Sequence, residues 1–315
     1  MRLRITISAA ALLALALAPG AGASWLIDRN ASAIHLGVDN SGQALVSYKA
    51  HGRAIHVLAW GAINARQPNP SIAQVKFKLD YSGGKDKIWR AFKNTCQTYD
   101  GPALAWSVTA CNATDGSYWA LQKWQRMLPN VGYKPWLATQ TVWELRLSHW
   151  TGPVAELEVY TDWVYSSHFH QLFGRASYNG VGIHGFKTTS SGAPLDTYGR
   201  NLYLDSLDSA YGAGWHRENS FVAHGPVSGM FCYGFYPYSS YPGYPSQRSA
   251  KLTGAGKKYR LTMIGPGVTP DAMWAGDGLE DYDSQNPALV DWEQQMNQKL
   301  DEMRTNYRET KCNLH

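Results

Sequence analysis

The chain has 315 residues, and its formal charge of +5 at pH 7 is spread without any Lys/Arg cluster that could neutralise a row of phosphates, so nucleic acid is excluded as an expected partner. Charged residues are few, while 13 Trp and 19 Tyr supply rings with polar tips that suit a core or a binding face. No P-loop, dinucleotide fingerprint or G-x-S-x-G occurs, so no cofactor is expected and serine-hydrolase chemistry has no support.

Residues 1–23 have the layout of a secretory signal peptide. Arg2 and Arg4 precede a mainly apolar run from Ile5 to Ala18, followed by Pro19 and the small-x-small set Ala21-Gly22-Ala23. The run is shorter than the ~20 residues that a spanning helix needs, and no later segment is apolar enough to be a membrane span. The mature chain is therefore expected to start at Ser24 and to be secreted or extracellular. Cys96, Cys111, Cys232 and Cys312 suit an oxidising compartment, which suggests disulfides. Of the pairings open to them, Cys96–Cys111 with Cys232–Cys312 is preferred: one closes a short loop, the other ties the tail to the body. No two cysteines have C-x2-C spacing, so no zinc site is expected.

Residues 24–66 read as a β-meander, either a small unit or part of the main body. Ile34, Leu36 and Val38 alternate with polar or small residues, Asp39 to Gly42 turns, and strands flank His51-Gly52. Arg66 to Pro70 breaks the pattern, and a main β domain is assigned to 71–285. Lys85 to Lys93 allows one short helix. Asp115-Gly116 marks a hairpin turn before the strand Ser117 to Gln125, where alternation sends Trp119 and Trp124 to opposite faces. Thr141 to Val164 reads as a hairpin turned by Thr151-Gly152-Pro153, with Arg146 opposite Glu156 or Glu158. Tyr233 to Tyr244 is a Tyr/Pro/Gly segment that cannot be a regular strand. Asn286 as N-cap and Pro287 at N1 start a helix over 286–312, with Leu289, Trp292, Met296, Leu300, Met303 and Tyr307 along one face, docked on the body. The expected fold is mainly β, an antiparallel β-sandwich-like body with a long C-terminal amphipathic helix.

The candidate chemistry is diffuse. His168-Phe169-His170 resembles the opening of the cupin metal motif, and Asp162, Ser166, His168 and His170 would share one strand face. The glutamate expected shortly afterwards is missing, with Arg175 in that stretch, so no metal is assigned. His184 could join them in space. His224-Gly225 before Cys232 resembles the active-site segment of L,D-transpeptidases, but the cysteine comes several residues late and Tyr233 and Gly234 replace the usual arginine. Asp277, Glu280, Asp281 and Asp283 read as a solvated run rather than a calcium loop. Glu144, Glu156, Glu158 and Asp162 are placed on one face, where two carboxylates could cleave a glycosidic bond.

The expected function is binding of a carbohydrate or cell-envelope polymer through aromatic residues: Tyr118, Trp124, Trp136, Tyr236, Tyr238, Tyr241 and Tyr244. One alternative is a polysaccharide hydrolase or lyase using Glu144, Glu158, Asp162, His168 or His170. Another is a structural or adhesive surface protein.

Overall fold

The period-two pattern resolves into antiparallel strands in the computed structural model, which describes residues 24–66, 74–84, 89–126, 142–164, 166–183, 200–209, 212–221, 223, 228–235, 255–310 and 312. Among these residues the strands form four sheets. The first has the order β1 (Trp25–Arg29), β9 (Val142–Trp150), β8 (Tyr118–Arg126), β7 (Ser107–Asn112), β6 (Gln97–Thr98). The second is β2 (Ser32–Val38), β3 (Ala44–Ala50), β4 (Arg53–Trp60), β5 (Lys78–Asp80). In the third, β11 (Phe169–Tyr178) lies between β10 (Glu156–Val164) on one side and β12 (Val181–Gly182) and β15 (Met230–Phe235) on the other. The fourth is β14 (Gly212–Phe221), β13 (Leu202–Ser209), β16 (Lys258–Met263), β17 (Ala272–Asp277).

The sheets pack in pairs. Val38, Val46 and Val57 of the second sheet meet Trp119, Leu121, Leu145 and Leu147 of the first. Val159, Leu172 and Phe231 of the third meet Leu204, Leu261 and Met263 of the fourth. The remaining face of the third sheet is covered by α1 (Pro287–Tyr307), which buries Met296, Leu300 and Met303 against Phe173 and Met230. The Asn286 side chain caps the helix by accepting from the Ala288 N–H at 3.1 Å, and Arg308 ends it in the left-handed region. Trp292 lies at the edge of the docked face and is 39% exposed.

Two disulfides pair all four cysteines, Cys96–Cys111 and Cys232–Cys312, as the spacing favours. The second joins β15 to the chain just beyond α1. No helix among the described residues is long and apolar enough to cross a membrane.

The hairpin expected from Thr141 to Val164 does not form. Its two arms, β9 and β10, lie in different sheets, with β9 paired to β1 and β8 and β10 paired to β11. The alternation is right along each arm, but a period of two does not name a partner strand. Asn64 holds the connection in its own place: its amide bonds the Thr151 hydroxyl at 3.0 Å and accepts from the Thr151 N–H at 2.7 Å. Glu158 accordingly sits opposite Arg175, not Arg146.

Residues 264–271, joining β16 to β17, are all buried and run between the two sheet pairs. Val268 enters the first core, and its carbonyl accepts from the His149 N–H at 2.8 Å. Gly267 has φ +61°, and a Cβ there would come within 2.9 Å of the Ala65 backbone, so only glycine fits this crossing. Gln122 holds the far end twice: its carbonyl accepts from the Asp271 N–H at 2.7 Å and its amide donates to the Asp271 carbonyl at 2.9 Å.

The Cys232–Cys312 bond spans 80 residues and clamps the helix end. Replacing both cysteines by serine is expected to cost about 2–5 kcal/mol. In thermal unfolding followed by circular dichroism, an unchanged Tm would show that packing alone holds the helix.

Candidate functional site

An open cleft of about 520 Å³ lies where the end of β1 meets the β3–β4 hairpin, lined by residues including Asp28, Tyr48, His51, Arg53, His56 and Tyr81. Local geometry explains the convergence. His51 and Gly52 have φ of +52° and +73° between the paired residues Ala50 and Arg53, a two-residue turn of the primed kind that matches strand twist. It brings Tyr48, His51 and Arg53 to one end of the hairpin. The register of β1 against β9 slips between Leu26 and Asp28, and a slip of this kind re-aims the side chains beyond it. Asp28 then meets His51, with Oδ1 at 2.9 Å from Nε2. Tyr81, after β5, donates its hydroxyl to the Ile27 carbonyl at 3.0 Å and leaves 52% of its surface exposed.

The electrostatics of the cleft are mixed. Burial works to raise the Asp28 carboxyl, but bonds from His51 and the Arg29 amide outweigh it and hold the pKa below the usual value. Asp28 is thus an ionised acceptor. Burial, with Asp28 facing it, raises the Tyr48 phenol well above its ordinary value, so Tyr48 keeps its proton. Burial likewise raises Tyr81. Arg53 is exposed at the rim. Nearby, His56 stacks on Trp89 with centroids 4.0 Å apart and meets the Ser47 hydroxyl at 2.9 Å through Nδ1. The cleft therefore offers one carboxylate, a guanidinium, imidazoles and the exposed Tyr81 ring beside the aliphatic side chains of Ile27, Ala54 and Ile55, with Tyr48 buried in its wall.

Of the carboxylates considered from the sequence, Glu144 stands apart from Glu156, Glu158 and Asp162. Glu144 belongs to the first sheet and is 1% exposed. It is paired with Arg146 at 2.6 Å, Arg126 at 2.9 Å and Arg29 at 3.3 Å. Glu156, Glu158 and Asp162 do share a face of β10: Glu156 and Glu158 are two residues apart, roughly 7 Å at the strand rise, and Glu158 and Asp162 four apart, roughly 13 Å. Glycosidase carboxylates stand ~5 Å apart, or at most ~9.5 Å. Glu158 accepts from the Tyr160 hydroxyl and lies 3.6 Å from Lys299.

Asp162 and His170 lie on opposite faces, because Trp163 is the direct partner of His170 and Asp162 is its neighbour. The single face expected for Asp162, Ser166, His168 and His170 is broken by a turn at 166–168, with Ser166 and Ser167 at positive φ. His168 is exposed and His170 buried. His184 lies outside the described residues. Among those residues no three His, Cys, Asp or Glu side chains are placed to hold a metal ion.

Trp124, placed on a binding face from the sequence, is 1% exposed. Its indole N–H donates to Asp271 Oδ2 at 2.7 Å and its ring meets Tyr203. Opposite faces of β8 do separate Trp119 from Trp124, but the first sheet is covered on both sides. Tyr118 is half-buried and packs with Tyr99 and Trp150, each centroid 5.4 Å away. Trp136, Tyr236, Tyr238, Tyr241 and Tyr244 lie outside the described residues. The cleft escaped sequence reasoning: the His51-Gly52 turn is visible there, but the approach of Asp28 and Tyr81 to it depends on long-range pairing.

Asp162 has a separate consequence. It is buried beneath the helix side of the third sheet, bonded to the Trp163 N–H at 2.7 Å and the Gln171 amide at 3.3 Å, and burial pushes its pKa up to about 7. The folded value stands above the unfolded one of ~3.9. Stabilisation by protonated Asp162 is therefore complete below about pH 4 and is lost as the pH rises through about 7. Asp162→Asn should flatten that part of the Tm–pH curve. A curve parallel to the parent's between those limits would contradict the assignment.

Compared with known families, characterised proteins and solved structures, the chain matches none of them.

Proposed function

We propose that this is an exported binding protein that holds a carbohydrate or cell-envelope polymer in the cleft of Asp28, His51, Arg53 and Tyr81. The observation that carries the reading is an exposed tyrosine ring standing beside fixed donors and an ionised acceptor in one open cleft. Sugars ask for this combination. Their C–H faces stack on aromatic rings, and their hydroxyls both donate to carboxylates and accept from guanidinium and imidazole N–H groups. Disulfides throughout fit an oxidising compartment.

Polysaccharide cleavage has one observation in its favour, the near-neutral pKa of Asp162, a value suited to a general acid. Asp162 is closed off between β10 and α1, whereas the cleft is open. Binding without turnover is therefore the reading adopted.

The test is binding of the disulfide-bonded protein to a panel of soluble and insoluble polysaccharides, including cell-wall material, with polymer length measured after incubation. Tyr81→Ala and Arg53→Ala, both at exposed positions, are each expected to weaken binding about tenfold or more. Circular dichroism should show an unchanged fold. Binding that survives both substitutions would remove the cleft as the site. Shortened polymer would establish an enzyme instead, and no binding to any polymer would turn attention to a structural role.

A further inference from the structure

A second exposed ring lies next to the cleft. Trp143, near the start of β9, is 41% exposed, yet its backbone is fixed. Its N–H donates to the Asn30 side chain at 3.0 Å, and its carbonyl accepts from the Asn30 N–H at 2.7 Å. Residues two apart on a strand share a face. Trp143 is thus on the face of Leu145 and Leu147, which belong to the core between the first two sheets. Leu145 is the direct partner of Asp28 on β1 and of Lys123 on β8. Trp143 is diagonal to both, and diagonal neighbours on one face are ~7–8 Å apart. Tyr81 bonds the chain at Ile27 and Trp143 bonds it at Asn30, on either side of the cleft residue Asp28.

The charges around these two rings leave cations over. Lys123 Nζ lies 5.8 Å from the Trp143 ring centroid and donates to the Ala31 carbonyl at 2.7 Å. That bond anchors the ammonium and leaves N–H groups for a ligand. The neighbouring carboxylates are occupied. Glu144, on the opposite face of β9, takes Arg29, Arg126 and Arg146. Asp28 takes His51 and the Arg29 amide. Asp80 accepts from the Ser82 N–H and is not part of the cleft lining. Among the described residues neither Lys123 nor Arg53 makes an ion pair. The groups left for a ligand are two rings and two cations, which call for apolar ring faces and anionic acceptors.

We propose that Trp143 and Lys123 form a second subsite continuous with the cleft, and that the ligand is an acidic polysaccharide. Its sugar rings stack on Tyr81 and Trp143, and its carboxylates pair with Arg53 and Lys123. The inference rests on the cleft reading above and narrows its ligand from polysaccharides in general to polyuronates. Rings on both sides of Asp28 require a ligand longer than one sugar. The fixed Asn30 bonds and the Ala31 anchor hold Trp143 and Lys123 in place before the ligand arrives, which lowers the cost of ordering them.

The test compares binding of the disulfide-bonded protein to sodium alginate and to carboxyl-reduced alginate at low ionic strength. The reduced polymer keeps the rings and loses the charge. Alginate is expected to bind at least about tenfold more tightly, with the difference shrinking as salt is added. Trp143→Ala should weaken binding of both polymers about tenfold, and Trp143→Phe, which keeps a ring, should retain most of it. Lys123→Gln should weaken alginate binding about threefold or more and leave the reduced polymer unaffected. Circular dichroism checks that each variant folds. Equal affinity for the two polymers would overturn the acidic ligand. Parental binding by Trp143→Ala and Lys123→Gln, alongside a loss in Tyr81→Ala, would overturn the subsite and leave the cleft reading standing. Binding of neutral polymers but not alginate would likewise overturn this inference alone, whereas no binding to any polymer would remove the cleft reading with it.

Discussion

Everything in this fold depends on a carboxylate placed where water cannot reach it. Asp271 collects the Ser24 hydroxyl, the Trp124 indole and the Gly265 amide, and its backbone is held at both polar groups by Gln122. These partners come from β8, from the residue before β1 and from the β16–β17 connection. A buried polar group must find its bonds or cost the fold a large part of its margin. One side chain thereby forces the first and fourth sheets into a fixed relation. Burial raises the Asp271 pKa, with Arg146 and the donors acting against the rise.

The same constraint explains how far the sequence could be read. Strand alternation, the Asn286-Pro287 helix start and the Met296, Leu300, Met303 stripe are short-range signals, and each has its counterpart in the structure. The cysteine pairing was legible because loop lengths made one arrangement reasonable. Partner choice was not legible. β9 is amphipathic like β10, yet its polar face with Glu144 and Arg146 points into the region sealed by residues 264–271. That is why an acidic residue counted as a catalytic candidate is locked into an ion-pair network, and why Trp124 is core. Alternation distinguishes two faces of a strand, but it does not say that both are buried.

The candidate cleft shows the same limit from the other direction. Tyr48, His51 and Arg53 sit around a turn that sequence chemistry identifies. Their value as a site comes from Asp28 and Tyr81, which arrive from a register slip in β1 and from the end of β5. Neither event leaves a local signature. The cleft joins one exposed ring to several polar groups.

The placement of α1 bears on the order in which the chain assembles. In a polypeptide delivered N-terminus first, β10, β11 and β15 are all available before residues 287–307 emerge. Until then the outer face of the third sheet presents Phe173, Met230 and the Cys232 thiol to solvent. Cys96 and Cys111, separated by only 15 residues, can close their bond early and leave no competing thiol for Cys232. The last helix covers the apolar outer face of the third sheet, and the Cys232–Cys312 bond ties its end to β15.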